Sequence, residues 1–566
     1  MHENPTQRAR SEKWYLLTAA IALAGTALNI YQWYFSKPLW VDEEMVLLNV
    51  RDRAISELIG PLWLNQAAPL GWLALQRVVV TEFGTTDRAV RAIPVLFGIG
   101  TLWVGWWMAK HWMKPLAAAT FLVLCSTAQW MTYYALEAKP YSADAFWALA
   151  LPALAIWAAE PVSQRPLSLA RTGVWWSVAA IAQWFSFGAT FAMPACAIAL
   201  CAIGWWRAGW RLAATIALQG ILWVICFGAH YAISLGYASN DEYLRNYWVW
   251  AFPPAKAGLT GTVAWLAKQF EPLASNPAGT TLWLSLWLSV VYGVAVLLAR
   301  QPAAGLVILF VTISPFALAA FRRLPLADRL AFWMVPALYA AVAVAFDDVI
   351  ARARVAFSRR KWVGVAVAVG FALIAGRVCV DIVKRGHDNF FVGGDNHALN
   401  DRRALRALMF ERKPGDVWLT THLGLPAVWW YGNIPISDPN GGSSHPEDGA
   451  PIFELSHIPR GAPGCRGRQS REQLSKALAG SRRAAVHLGF ASRIPPGFQE
   501  LVLDELSRIG VLASYQPISS EGLAVTFDFT QPPQSWRLDF ATPPGTKVEG
   551  VEPAAGCIGV QQAKRW

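Results

Sequence analysis

Apolar runs long enough to cross a bilayer recur through the first two-thirds of this chain, and that recurrence limits its fold more than any other feature. Trp14 to Phe35 carries no formal charge over roughly the ~20 residues a bilayer requires. Further runs follow at approximately 89–109, 115–136, 140–159, 173–188, 190–206, 212–235, 280–299, 303–321, 329–346 and 362–380. With the first they make about eleven spans, and segments of that length satisfy their backbone groups in lipid as helices. The composition agrees, with 55% hydrophobic and 15% charged residues. Many of the 31 tryptophans stand near the ends of the runs, where an indole keeps its ring in hydrocarbon and its donor near water. The first run is too long for a cleavable signal and lacks a small-residue cleavage site, so it is expected to stay as a helix.

Basic residues give the chain a direction. Lys110, Lys114, Arg165, Arg171, Arg207, Arg211, Arg300, Arg352, Arg354, Arg359, Arg360 and Lys361 fall on the side of the basic N-terminus. The positive-inside rule makes that side cytoplasmic. An odd number of spans then puts the C-terminal part outside, in the compartment of loops 36–88, 137–140, 236–279 and 322–328. The net charge of +12 does not imply nucleic acid, because the basic residues are scattered between spans rather than striped on one face. Pieces 43–59 and 66–82 are too short or too polar to span and read as interfacial helices on the outer leaflet.

From about 381 the texture changes to Pro, Gly, Asp and Arg. Helices are expected at 401–411, with Asn400 or Asp401 as cap, at 425–431 and at 499–509; strands are expected at 416–421, 484–488 and 523–529. No structure is assigned to the loop-rich stretch 439–471. The expected organisation is a transmembrane domain, 1–380, containing the outer loop 36–88, and a soluble α/β domain, 381–566, outside the membrane. Cys125, Cys196, Cys201, Cys226 and Cys379 lie in or at the ends of apolar runs, which leaves Cys465 and Cys557 as a candidate disulfide pair in an oxidising compartment.

Three constellations carry chemistry. Asp42, Glu43 and Glu44 follow the first span; either Asp42 caps a helix whose dipole the glutamates complement, or one of them acts as a base on an acceptor hydroxyl, Asp42 first and Glu43 second. Tyr133 to Asp144 joins two spans on the outer side and holds Glu137 and Lys139, ionisable groups at membrane depth. Asp144 is placed to hold Lys139 or a neighbouring helix. Arg322, Arg323 and Arg329 depart from the positive-inside trend in an outer loop, and guanidinium forks suit phosphate oxygens; pairing with anionic lipid headgroups or with Asp328 is the lesser alternative. Asp241, Glu242 and Arg245 decorate another outer loop. No histidine pair has metal-ligand spacing and no phosphate-binding glycine loop appears. No metal or cofactor is therefore expected, with a divalent cation on the Asp42–Glu44 acids left open.

These residues, in this order, resemble a family. An acidic pair after the first span is followed by Asn65-Gln66-Ala67-Ala68-Pro69-Leu70-Gly71-Trp72, then Asp87-Arg88-Ala89-Val90-Arg91, then Glu137-Ala138-Lys139-Pro140-Tyr141. The pattern resembles the GT-C superfamily of polytopic glycosyltransferases, near the protein O-mannosyltransferase and lipid A aminoarabinose transferase group. It is best over 36–160, weaker over the arginine loop and only architectural beyond 381. The resemblance implies a polyprenyl-phosphate sugar donor, undecaprenyl phosphate or a relative, and a site outside the cytoplasm. It makes Asp42 the catalytic carboxylate with Glu43 beside it, and puts Lys139 of Lys139-Pro140-Tyr141 near the donor phosphate. Arg91 matches a positional arginine. Ala67-Ala68-Pro69 departs from the family, which carries a charge there.

The expected function is transfer of one sugar from polyprenyl phosphate to a cell-envelope acceptor: lipid A, a lipopolysaccharide core, another envelope glycan or lipid, or a protein. Asp42 is the base, Lys139 with Arg322, Arg323 and Arg329 stabilises the phosphate, and inversion at the sugar is expected, for which one base suffices because phosphate leaves without a protonating acid. The expected location is a bacterial cytoplasmic membrane. Three alternatives compete, one of them a membrane-anchored sensor with 381–566 as its ligand domain, which leaves the intramembrane acids unexplained. A metal-dependent block oligosaccharyltransferase would need a cation, and a lipid-linked-sugar transporter would show matching halves, which the sequence lacks.

Overall fold

The computed structural model describes residues 5–161, 167–359, 362–390, 400–432, 451–463, 465, 467–490, 493–519, 522–532 and 556–563. Two compact units are present. The first comprises Met1–Phe35, Ala54–Pro61 and Ala67–Val392; the second comprises Ser36–Arg53, Leu62–Gln66 and Gly393–Trp566. Part of the outer loop 36–88 therefore belongs with the C-terminal residues rather than with the helical ones.

Every apolar run falls on helix in the first unit. Among the described residues nine helical segments are long and apolar enough to cross a membrane: Lys13–Tyr34, Asp87–Trp112, Tyr141–Ala159, Phe187–Ala208, Trp210–Asn240, Trp283–Arg300, Pro302–Ala320, Asp328–Ser358 and Trp362–Asp388. Two of the expected eleven are shorter. Run 115–136 divides into Pro115–Thr127 and Gln129–Tyr134, with Ala128 extended between them. There the Ser126 and Thr127 hydroxyls donate to the Leu122 and Val123 carbonyls at 2.6 and 2.7 Å, a back-bonding that bends helices. Run 173–188 becomes Leu169–Ala182, ending before Ser186 accepts the Ala189 N–H at 2.8 Å and caps the next helix.

Burial ranks these helices. In Tyr141–Ala159 and in Asp328–Ser358 78% of the apolar window is buried, against 11% in Trp210–Asn240; the former have protein on most sides and the latter offers its apolar face to lipid. Small residues make close approach possible in the centre, with Ala143, Ala145, Ala148, Ala153 and Ala155 all buried. Two carboxylates of the bundle are held by hydrogen bonds. Asp348 accepts from Tyr292 and from Arg352 Nε, each at 2.6 Å, and pairs with Arg300, so Arg300 and Arg352 share one end of the bundle. Asp144 accepts from Ser186 Oγ at 2.6 Å and from the Gly188 N–H at 2.9 Å. Of the two partners expected for it, a neighbouring helix is the one observed.

Gly386 lies against the break between Thr127 and Gln129, and a Cβ there would meet the Thr127 carbonyl oxygen. Gly386→Ala is expected to lower stability by about 1–3 kcal/mol, the usual penalty of overpacking. A thermal unfolding scan in detergent checks it; an unchanged midpoint would show that the two segments separate readily.

Among the described residues of the second unit six strands form one sheet: β1 (Val417–Thr421), β2 (Ile452–Pro459), β3 (Arg483–Leu488), β4 (Val511–Ser519), β5 (Gly522–Asp528) and β6 (Gly556–Gln562). Their order is β4-β5-β3-β1-β2-β6. β1 runs parallel to both β2 and β3, and the remaining pairs are antiparallel. The expected strands 416–421, 484–488 and 523–529 correspond to β1, β3 and β5, three of the four inner strands, whose apolar side chains fill the core. The edges were illegible because edge strands need not look like strands. β4 carries Pro517 beside a register shift, and β6 carries Gly556 and Gly559; a proline or glycine is tolerated where one side of the ladder is open. The stretch 439–471 contains β2 and the start of a helix at Gly467–Ala477, while 439–450 lies outside the described residues. Asn400 is the cap of the Asp401–Glu411 helix, its side chain accepting the Arg403 N–H at 3.1 Å. Asp401 in turn accepts from buried His487 Nε2 at 2.9 Å, fastening that helix to β3. Cys465 and Cys557 form a disulfide with a Cα separation of 5.6 Å.

Candidate active site

The acidic stretch opens a helix, Val41–Asp52, in the second unit. Trp40 has extended backbone and precedes the first turn, and its N–H donates to Glu43 Oε2 at 2.8 Å. A glutamate at the third helical position that satisfies the orphan donor ahead of the helix is half of a capping box. Glu43 is buried at 1% exposure, whereas Asp42 is partly exposed. The capping task considered for Asp42 thus falls to Glu43, and Asp42 lies in the same first turn. Glu44 is also buried.

Behind this turn the chain is pinned by Asn49. Its side chain accepts the Trp63 N–H at 2.7 Å and donates to the Met45 and Trp63 carbonyls at 2.9 and 3.2 Å. Leu64 and Asn65 adopt φ of 60° and 52°, left-handed conformations that a leucine adopts only under constraint. Gln66 Nε2 donates to the Leu64 carbonyl at 3.0 Å. The Asn65-Gln66 pair of the family pattern is therefore the end of a fastened turn against the acidic helix.

In the first unit Arg91 reaches the segment that carries Lys139. Fully buried Arg91 donates through Nε to the Leu136 carbonyl at 2.5 Å, and so braces the segment that carries Glu137 and Lys139. Glu137 and Lys139 are each only 6% exposed, and the Lys139 N–H closes onto the Glu137 carbonyl at 2.7 Å. Pro140 stops that turn, and Tyr141 begins the Tyr141–Ala159 helix. The Tyr141 ring packs edge-on against Tyr134, with centroids 5.3 Å apart, and Tyr134 in turn meets Phe332 at 4.8 Å.

The three arginines of the 321–329 loop have different surroundings. Arg329 has its guanidinium 5.8 Å from the Tyr141 ring and 5.7 Å from the Trp248 ring, within the range of cation–π attraction. Arg322 is engaged by the Pro253 carbonyl and lies 5.4 Å from the Phe252 ring. Arg323 is exposed. The Leu326 N–H donates to the Ala251 carbonyl at 2.8 Å, which laces this loop to residues 249–253. Positive φ at Arg322 (54°) and Asp328 (39°) marks both ends of the loop as conformationally constrained.

Arg91, Glu137, Lys139, Tyr141 and Arg329 are thus gathered around one turn of the first unit, while Asp42 and Glu43 belong to the second. Trp248 is the residue that sequence reasoning passed over. It stands at the end of the 239–248 stretch, where attention went to the charges; of these, Asp241 caps a short helix by accepting the Leu244 N–H at 2.8 Å. Among the described residues no group of three or more His, Cys, Asp or Glu side chains could hold a metal ion.

A bundle of long apolar helices together with one α/β unit is also found in solved structures of other proteins. Two solved structures share it. The chain is similar to apo ArnT from Cupriavidus metallidurans, a lipid A aminoarabinose transferase, at 15% identity and a TM-score of 0.51, covering 91% of this chain and 98% of that one. It is also similar to the apo oligosaccharyltransferase of Archaeoglobus fulgidus, at 11% identity and a TM-score of 0.50, covering 93% of this chain and 75% of that one. No protein-family model and no curated protein sequence matches it.

Proposed function

We propose that this protein is a membrane glycosyltransferase that moves a sugar from a polyprenyl-phosphate donor to a cell-envelope acceptor, at the outer face of a bacterial cytoplasmic membrane with the N-terminus inside. The acceptor class is lipid A, a lipopolysaccharide core, another envelope glycan or lipid, or a secreted protein. One observation carries the reading: within a GT-C fold, buried Lys139, held in the turn braced by Arg91, has Arg329 against the adjoining Tyr141. Cations held at fixed positions suit a leaving phosphate, because they stabilise its developing charge without reorganising as the bond breaks.

Asp42 is the proposed general base. Its carboxylate takes the proton of the acceptor hydroxyl as that oxygen bonds to the anomeric carbon, while the carbon–oxygen bond to phosphate breaks and the lipid phosphate leaves with the electron pair. One base suffices and the anomeric configuration inverts. Lys139 and Arg329 are the main phosphate contacts in this proposal. Arg322, tied to the Pro253 carbonyl, and exposed Arg323 contribute at longer range, and Glu137 and Tyr141 shape the turn.

Purified protein incubated with polyprenyl-phosphate sugars and envelope lipids extracted from a bacterial membrane is expected to yield an acceptor heavier by one sugar residue, read by mass spectrometry. Addition of EDTA is expected to leave the yield unchanged. Transfer of a whole oligosaccharide, or transfer that stops with EDTA and resumes with a divalent cation, would replace this mechanism with a metal-assisted block transfer.

A further inference from the structure

Open α/β sheets commonly bind ligands beyond the carboxyl ends of parallel strands, at the point where successive connections leave in opposite directions. Here that point lies between β1 and β3. β1 leads to β2 on one side, and β2 then returns across β1 to β3 on the other. The residues that emerge there are Leu423 and the Leu425–Tyr431 helix after β1, and Phe490 after β3.

They hold a segment of this chain. Trp40 packs edge-on against Phe490 with centroids 4.4 Å apart, and Val41 and Phe490 are buried together against Met45 and Leu423. The Leu39 N–H donates to Tyr431 Oη at 2.8 Å. At the far end of the acidic helix, Arg51 donates to the Trp430 and Trp429 carbonyls at 3.0 and 3.1 Å. Those carbonyls lie in the last turn of the 425–431 helix, where a cation is favoured by the dipole as well. Asp52 keeps the guanidinium oriented, pairing with Arg51 Nε at 2.6 Å. Trp63 stacks on Trp429 at 5.4 Å. Both ends of the Val41–Asp52 helix are therefore fastened to the carboxyl edge of the sheet. Phe490 itself has φ of 61°, a strained conformation that turns the chain at this contact.

We infer that the α/β unit is a positioning module whose occupant at the switch point is the chain's own acid-bearing helix, with Arg51 and Tyr431 as the positioning residues for Asp42. This rests on the proposed role of Asp42 as base. A free acceptor does not use that edge, because residues 39–51 already fill it.

The test compares full-length wild type with Tyr431→Phe, Arg51→Gln and the double variant, in detergent, by hydrogen exchange over peptide 39–52 and by steady-state transfer from the bacterial polyprenyl-phosphate sugar extract. Loss of these bonds is expected to speed exchange across 39–52 by about tenfold in the double variant. Turnover is expected to fall by about tenfold with the donor KM unchanged, since misplacing a base slows the chemical step without altering donor contacts. Arg51→Lys, which keeps a donor to the carbonyls, is expected to recover part of both. Faster exchange with wild-type turnover overturns the positioning role, as does unchanged exchange. Asp42→Asn, run alongside, separates the two ideas: if it is inactive while the double variant is normal, the base stands and the module fails. An active Asp42→Asn removes the base, and the exchange data then decide the anchoring alone.

Discussion

Asp42→Asn is expected to reduce turnover by about 10³-fold, within the range that a positioned general base contributes, with donor KM and thermal stability close to wild type. Asparagine keeps the size and hydrogen-bonding geometry of the side chain but cannot take a proton at neutral pH. The comparison that gives this result meaning is Glu43→Gln. Glu43 accepts the Trp40 N–H and is buried under the first turn, and glutamine preserves that acceptor, so the helix start should lose about 1 kcal/mol at most. Initial rates and unfolding midpoints measured on both variants check the assignment. If Glu43→Gln abolishes transfer and Asp42→Asn does not, the two acids have exchanged roles.

Lys139→Met is expected to lower kcat/KM for the donor by about 10²-fold, the scale of removing one fixed donor from a developing negative charge. Methionine fills nearly the same volume as the lysine stem, so the buried turn braced by Arg91 should keep its packing. Arg329→Met should act in the same direction, because Arg329 lies against Tyr141 and Trp248. Arg323→Ala is expected to change donor use by no more than about threefold, since an exposed charge is screened by solvent and salt. Donor titrations at fixed acceptor give the ordering directly. An Arg323 effect larger than that of Lys139 would move the phosphate contact outward along the loop.

The legible parts of the fold were those written in local pattern. Apolar runs gave the helices, although run 115–136 does not announce its break at Ala128, which depends on the Ser126 and Thr127 hydroxyls choosing carbonyls one turn back. Inner strands β1, β3 and β5 were readable because their apolar side chains must fill a core, whereas inner strand β2 lay in a stretch read as loop. Edge strands β4 and β6 were not, because an open edge relaxes the demand on composition. At the candidate site the same division holds. Lys139-Pro140-Tyr141 was visible as a motif, while Trp248 looked like loop decoration until Arg329 was found beside it.

The sequence by itself determined that this chain is a polytopic helical protein followed by an α/β unit, and which short stretches carry charges that a membrane would otherwise exclude. Hydrophobicity and its period act over one element at a time, so they are readable without coordinates. Tertiary structure decided the rest: that Glu43 rather than Asp42 satisfies the helix start, that Arg329 meets Tyr141 while Arg322 is held by Pro253, and that the acidic helix belongs to the C-terminal unit. The bond from the Leu39 N–H to Tyr431 spans 392 positions. No local propensity records a contact of that kind, because it exists only once the β1 and β3 edges have formed and left a place for residues 39–51 to dock.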